Sequence, residues 1–340
     1  MRRPRYPGRH PRAFHHKYKE LQPDRYADDV AKVVRAGKTP AGMHRAIMVD
    51  EIVRVLDPRP GMVAVDCTLG YGGHSRALLS RLAPGGRLLA IDVDPVELPR
   101  TEARLRGELA APDALVTART NFAGLPQALA RAGLPAADVI CADLGVSSMQ
   151  IDDPARGFTF KTAAPLDMRL NPAQGRPASE QLAHAAVPTI EAWLRDYADE
   201  PLAAPIARAI AGRALATSTE LAAVVDEVAR RESPRADDTA IARTVRRVFQ
   251  AVRIAVNDEL GALDALLRHL PACLAPGGRV AILTFHSGED RRVKKAFQAG
   301  VRDGVYAATN DAVIRATADE VRANPRAVSA KLRWARRAGG

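Results

Sequence analysis

Three aspartates set the chemistry that this chain can do. Asp66 and Asp92 each close a short apolar run, and between them lies the glycine-rich turn Cys67-Thr68-Leu69-Gly70-Tyr71-Gly72-Gly73. A strand ending on an acid, a glycine turn and a second strand ending on an acid form the arrangement that binds an adenosine-bearing cofactor at the carboxyl edge of a parallel sheet. Gly70, Gly72 and Gly73 remove side chains where backbone must approach a ligand, and Asp92 can accept hydrogen bonds from ribose hydroxyls. A nicotinamide cofactor would favour GxGxxG. Here Ser75 stands at the last glycine position, so S-adenosylmethionine is the preferred cofactor. The turn alone is a weak signal, because a glycine-rich connection that binds nothing has the same composition.

Asp143 is the third acid. It ends the apolar run Asp138-Val139-Ile140-Cys141-Ala142 and is followed by Leu144-Gly145-Val146-Ser147-Ser148. In such a sheet this end borders the same crevice. A cytosine amine is a poor nucleophile because its lone pair is delocalised into the ring. An acceptor such as Asp143 can bind the amine hydrogens and aim that lone pair at a sulfonium methyl in line. The plainer role for Asp143, capping the turn that follows it, is compatible with this one.

The elements that must position these residues alternate between helix and strand from Ile47 onward, the pattern of a parallel sheet covered on both faces. Ile47 to Leu56 reads as a short helix, Asp57-Pro58-Arg59-Pro60-Gly61 as a turn, and a further helix begins near His74. Pro84-Gly85-Gly86 leads into a strand from Arg87 to Asp92, and Gly278 to Phe285 is another strand, ending at His286-Ser287. Between about Gln150 and Ser233 the strand signal gives way to Ala/Leu-rich helical sequence, read as an insertion. Apolar residues at 245, 248, 249, 252, 256, 260, 263 and 267 predict one long helix over 245–270 that returns the chain to the sheet. The expected organisation is a basic arm over 1–43, a Rossmann-like α/β domain over 44–149 and 234–340, and a helical substrate-recognition domain over 150–233.

Composition narrows the function classes. With 340 residues, 47% of them hydrophobic, the chain can bury a sizeable core. Cys67, Cys141 and Cys273 lie far apart without Cys/His ligand spacing, so neither a disulfide framework nor a metal site is expected, and a reducing cytoplasm fits. No apolar run is long enough to cross a membrane or to serve as a secretory signal. Residues 1–45 hold twelve Lys/Arg against four acids, and residues 322–340 hold six Lys/Arg and no acid, so the net +11 sits at the two ends. Two basic ends on a nearly neutral body suit a polyanionic partner gripped by its phosphates, although a basic tail can also serve solubility alone. The opening stretch MRRPRYPGRHPRAFHHKYKE mixes Arg, Pro, His and aromatics without apolar periodicity and reads as a disordered arm able to contact phosphates and stack on bases.

Many ordered motifs then coincide. They include His44 with Met48-Val49-Asp50-Glu51, Thr68-Leu69-Gly70 with Gly72-Gly73-His74-Ser75, Ile91-Asp92 with Asp94-Pro95, Asp143-Leu144-Gly145-Val146-Ser147-Ser148 with Gln150 and Asp152, and Arg156-Gly157-Phe158 with Phe160. Further along come Pro165-Leu166-Asp167-Met168-Arg169, Phe249-Gln250-Ala251-Val252-Arg253-Ile254, Leu274-Ala275-Pro276-Gly277-Gly278-Arg279, Phe285-His286-Ser287 with Glu289-Asp290-Arg291, and Asn324-Pro325-Arg326-Ala327 with Ser329-Ala330-Lys331-Leu332-Arg333. In these motifs the chain, from His44 to about Arg333, resembles the bacterial 16S rRNA cytosine-N4-methyltransferase family, the MraW type.

The resemblance implies an S-adenosylmethionine-dependent enzyme acting on 16S ribosomal RNA or the small ribosomal subunit, at a cytidine of the decoding centre. It places cofactor contacts on Gly72, Gly73, His74, Asp92, Phe122, Asp143 and Gln150, with Asp143 as the catalytic candidate. Phe122 would pack on adenine, though a lone Phe is more commonly core. On the substrate side Asp167, Arg169, Arg253, His286 and Arg291 are candidates to line an RNA face, each equally open to an ordinary salt-bridge role. The target base would be flipped into the crevice so that its amine reaches the methyl group. Self-association as a homodimer is left open.

Three features depart from the family pattern. Tyr197-Ala198-Asp199-Glu200 stands where the family usually has Gly-Glu-Glu after the tyrosine, Pro201 and Pro205 interrupt the expected helix, and Gly288 replaces a common Leu. A divergent paralogue acting on a different RNA, and a cofactor-binding ribosome-assembly factor without catalysis, are the competing readings. A DNA amino-methyltransferase is disfavoured, because Asp143 is followed by Leu-Gly and not by Pro-Pro-Tyr/Phe.

Overall fold

The computed structural model describes residues 46–339, and the basic arm expected over 1–43 lies outside the described residues. Seven strands form one sheet in the order β3-β2-β1-β4-β5-β7-β6. They are β1 (Val63–Asp66), β2 (Arg87–Asp92), β3 (Leu115–Arg119), β4 (Ala137–Asp143), β5 (Leu274–Thr284), β6 (Tyr306–Thr309) and β7 (Lys331–Arg337). Strands β1 to β5 pair in parallel, and β7 runs antiparallel to both β5 and β6. The chain order reverses between β1 and β4, and at such a switch point the connections on either side diverge and leave a crevice above the strand ends. This is the α/β, Rossmann-like layout of class I S-adenosylmethionine methyltransferases expected from the sequence.

Side chains alternate across the central strands and divide the apolar residues between two cores. On one face Val65, Ile140 and Ile282 pack against α4 (Leu125–Arg131), α11 (Glu259–Cys273) and α12 (Ser287–Arg302), through residues such as Leu129, Leu266 and Phe297. On the other face Ala64, Val139 and Ala281 meet α1 (Val49–Leu56), α2 (Gly73–Leu82) and α3 (Glu97–Glu108), through Ile52, Leu78 and Leu105. Each fully buried aliphatic side chain contributes roughly 1.5–3 kcal/mol. The sheet is thus held from both sides, which fixes the acids at its carboxyl edge.

A third core belongs to helices beyond the sheet. The short α5 (Ser148–Asp152) leads into α6 (Ala178–His184), α7 (Val187–Ala198), α8 (Ala203–Ile210), α9 (Ser218–Glu232) and α10 (Asp238–Asn257). Leu182, Leu194, Ile206, Val225, Val248 and Val252 close together in this layer. Local signals explain the boundaries: Thr217 and Glu220 form a capping box on α9, and Asp237 accepts from the Ala240 N–H at the start of α10. Pro201 lies in the turn after α7, and Pro205 sits in the first turn of α8, where a missing N–H costs little.

One expectation is corrected. The predicted continuous helix over 245–270 is two helices, broken at Asp258, whose φ is +47°. The side chain of Asn257 donates to the Met168 carbonyl at 2.8 Å and accepts from the Leu170 N–H at 2.7 Å, which ties the break to the helical layer. The apolar periodicity runs on across the break because residues 245, 248, 249 and 252 face the helical core while 260 and 263 face the sheet.

Candidate active site

Above the carboxyl ends of β1, β2, β4 and β5 lies a cavity of about 530 Å³. The turn after β1 is shaped from within. Asp66 is fully buried, its Oδ1 accepting from the Thr68 N–H at 3.0 Å and its Oδ2 from the Ser75 hydroxyl at 2.7 Å. Ser75, at the position of the last glycine in a nucleotide fingerprint, therefore fastens the start of α2 to the end of β1. Gly70 and Gly72 have φ of +47° and +71°. A Cβ on Gly72 would stand 2.9 Å from both Leu105 Cδ1 and Thr101 Cγ2, and one on Gly73 would stand 2.5 Å from Ala46 Cβ. These positions need glycine for conformation and for space.

Asp92 accepts from the Gly70 N–H at 2.7 Å through Oδ2 and from the Asp94 N–H at 2.9 Å through Oδ1, leaving further lone pairs toward the cavity that it lines. Burial raises its carboxyl above the ordinary value, against the two backbone hydrogen bonds. Asp94 is the more heavily engaged acid. Its Oδ1 accepts from the Val96 and Glu97 N–H groups, and its Oδ2 accepts from Gln150 Nε2 at 3.0 Å and Arg156 Nη1 at 2.7 Å.

Gln150 lines the cavity, yet its side-chain ends are committed: Oε1 accepts from the Ser147 N–H in a capping box on α5, and Nε2 goes to Asp94. Phe122 sits in a single 3-10 turn over Phe122–Gly124, capped by Asn121, and its ring forms part of the wall.

The Asp143 N–H donates to Thr68 Oγ1 at 2.7 Å, which joins the ends of β4 and β1. Asp143 Oδ2 is 3.4 Å from Nε2 of the buried His74, while Oδ1 is buried and has no hydrogen-bond partner among the described residues. Burial disfavours charge on His74, but neighbouring Asp143, with Asp66 and Glu320, outweighs it and raises its pKa. A carboxylate oxygen without a partner at the floor of a cavity is an acceptor awaiting a donor.

On the opposite wall α10 presents Arg246, Gln250, Arg253 and Asn257 to the cavity, spaced to share one helix face. Arg253 holds Glu259 in a fork, both bonds at 2.8 Å, and is well buried. Arg246 is exposed and has no partner among the described residues. His286, at the start of α12, lines the same cavity. Its Nε2 lies 3.2 Å from Oε1 of the buried Glu289.

The structure gathers Gly70, Gly73, His74, Asp92, Phe122, Asp143, Gln150, Arg253 and His286 around one cavity, with Gly72 beside it. The remaining candidates stand apart from its walls. Asp167 and Arg169 pair with each other at 2.7–2.8 Å, and exposed Arg291 lies 3.7 Å from Asp199. Sequence reasoning did not single out Asp66, Thr68, Asp94, Arg156, Arg246 or Glu289. Asp94 and Arg156 lie in quoted motifs, but only folding shows that they meet.

S-adenosylmethionine fits these residues. Phe122 would face its adenine, Asp92 its ribose and the glycine turn its methionyl part, while the free Asp143 Oδ1 stays available beside it. The volume is that of a small-molecule site, for which about 300–1,000 Å³ is usual.

Comparison with known proteins agrees with this assembly. The chain is 47% identical over 339 residues to ribosomal RNA small subunit methyltransferase H 1 of Lachnoclostridium phytofermentans, covering 98% of this chain and 92% of that one. It is 48% identical to methyltransferase H 2 of Alkaliphilus metalliredigens, covering 98% and 97%. Against methyltransferase H of Burkholderia vietnamiensis the identity is 40%, over 86% of this chain and 97% of the relative. A solved rRNA methylase of Streptococcus thermophilus superimposes with a TM-score of 0.38 at 11% identity, covering 85% and 93%. The model of the MraW methylase family matches residues 41–338, a span that takes in every strand of the sheet and every wall of the cavity, and this chain belongs to that family.

Proposed function

We propose that the protein transfers the methyl group of S-adenosylmethionine to the exocyclic N4 amine of a cytidine in 16S ribosomal RNA. The relatives named above are methyltransferases of small-subunit ribosomal RNA, which supports the substrate class. The observation that carries the amine as target is Asp143, whose buried Oδ1 has no partner among the described residues in a cavity that fits the methyl donor. An aromatic amine needs an acceptor for its N–H to become nucleophilic, and Asp143 supplies one already fixed by Thr68 and His74.

The cofactor supplies a methyl group on a sulfonium sulfur. The chain supplies orientation: the glycine turn and Asp92 hold the donor, and Asp143 aims the amine. The base must leave its stack to enter so enclosed a site. The helical segment over 150–233, joined to the cavity through the polar stripe of α10, is the proposed substrate-recognition domain. The basic ends supply the phosphate attraction that RNA binding requires.

The test is to incubate the protein with labelled S-adenosylmethionine and unmodified small ribosomal subunits, then digest the RNA and identify the methylated nucleoside by mass spectrometry. N4-methylcytidine, lost with Asp143→Ala, supports the reading. Label in another nucleoside, or cofactor binding without transfer, overturns it.

A further inference from the structure

We infer that His286 is the group that takes the proton shed by the amine, with Glu289 holding its ring; this rests on the amine methylation proposed above. When the N4 lone pair forms its bond to the methyl carbon, the carbon–sulfur bond breaks and its electron pair stays on sulfur. The nitrogen then carries one proton too many. Asp143 is badly suited to remove that proton, because taking it would end the hydrogen bond that aims the amine, and its other oxygen already lies against His74.

His286 has the placement and the environment for the task. Asp143 pairs with Leu283 across β4 and β5, and the Leu144 N–H donates to the Leu283 carbonyl at 2.9 Å, so the chain beyond each strand end enters the same crevice. Phe285 packs beside Gly145, and His286 follows it into the cavity wall. The imidazole is largely buried, and neither ring nitrogen makes a hydrogen bond of good geometry among the described residues. The Glu289 carboxylate 3.2 Å from Nε2 favours the tautomer protonated at Nε2, which leaves the lone pair on Nδ1.

Glu289 is itself fixed, its Oε2 accepting from the Phe285 N–H at 2.8 Å. Burial would raise its carboxyl, but His286, that N–H and Arg253 outweigh burial and hold it below the ordinary range, so it stays an anion. An imidazolium formed at His286 would therefore arise beside a negative charge. Gly288 completes the arrangement. A Cβ there would stand 3.1 Å from Nδ1 and 3.2 Å from Cε1, so any larger residue would press on the edge of the ring that carries the lone pair. Sequence reading marked Gly288 as a departure, and the structure gives it a neighbour.

The experiment measures single-turnover methyl transfer to unmodified small subunits, with nucleoside analysis, alongside calorimetric binding of S-adenosylhomocysteine. His286→Ala is expected to slow transfer by on the order of 10²-fold, the usual scale of one general base, with added imidazole restoring part of the rate. Affinity for S-adenosylhomocysteine should stay within about threefold, since His286 stands on the substrate side of the cavity. Glu289→Gln, which keeps an acceptor for the Phe285 N–H, should lower the rate by about tenfold without changing KM for RNA. If wild type yields N4-methylcytidine but His286→Ala transfers at the wild-type rate, or its loss is not rescued by imidazole and comes with weakened S-adenosylhomocysteine binding, the proton-acceptor role is overturned while the function stands. If wild type methylates a different atom, the function itself fails first.

Discussion

Arg156 donates through Nη1 to Asp94 Oδ2 at 2.7 Å, with the carboxylate side chain 1% exposed and the guanidinium 10%. This pair ties the segment after α5 to the turn after β2, and the same arginine reaches the Leu170 carbonyl at 2.7 Å. Burial alone would raise the Asp94 carboxyl, but Arg156, Gln150 and the Val96 N–H outweigh it and hold it below the ordinary carboxylate value.

Arg156→Ala should therefore leave a buried carboxylate with no counter-charge, and the cost should be about 3–5 kcal/mol. Because the folded pKa of Asp94 is depressed, its stabilisation is present above the unfolded value of about 4 and is lost as pH falls through the folded value. Denaturant titrations of wild type and variant should accordingly converge in acid. A difference that stays constant down to about pH 2 would mean the pair contributes nothing through charge.

The His74–Asp143 contact makes the opposite prediction for pH. The folded pKa of His74 is raised, so its contribution is fully present below the unfolded value of about 6.5 and disappears as pH rises through the folded value. Melting temperatures of wild type and His74→Gln should differ most in mild acid and approach each other in alkali. Parallel curves from about pH 5.5 to 8.5 would show a histidine neutral throughout.

Gly72→Ala should destabilise the protein by about 1–3 kcal/mol, combining a left-handed backbone with a crowded Cβ. Its affinity for S-adenosylmethionine should fall more than tenfold, because the turn must shift away from Leu105 and Thr101. Gly133→Ala provides a control: it carries a similar positive φ of +65° with nothing within 4 Å, so it should cost backbone strain only and leave cofactor binding intact. Equal cofactor affinities for the two variants would refute the packing argument.

Arg246→Ala should raise KM for the ribosomal substrate and leave S-adenosylhomocysteine binding unchanged. If the exposed guanidinium meets one phosphate, the slope of log affinity against log salt should become shallower by about 0.7–0.9. An unchanged slope would place Arg246 away from the RNA backbone.

Much of the sheet edge was legible because its signals are local. Asp66, Asp92 and Asp143 each follow an apolar run, and the glycine turn announces itself by composition. The break at Asp258 was not legible, because Asn257 enforces it through the distant Met168 and Leu170, while the apolar period carries on regardless. Pairings such as Arg156 with Asp94 or Glu200 with Arg247 join residues that no spacing rule connects. The departures are placed by the same kind of distant contact. Glu200 is buried against Arg247 at 2.6 Å, and Asp199 accepts from the Ser287 hydroxyl at 3.0 Å, so the altered stretch after Tyr197 meets the first turn of α12.

Helix α10 belongs to two structures at once: its apolar side closes the helical core and its polar stripe walls the cavity. Local opening of α6–α9 would take away the support of that wall while the sheet beneath stays folded. Ligand affinity is then linked to the folding free energy of helices that the ligand never touches. Amide exchange across α7 to α9 should slow when S-adenosylhomocysteine or RNA binds, which makes the helical layer a thermodynamic reporter of an occupied site.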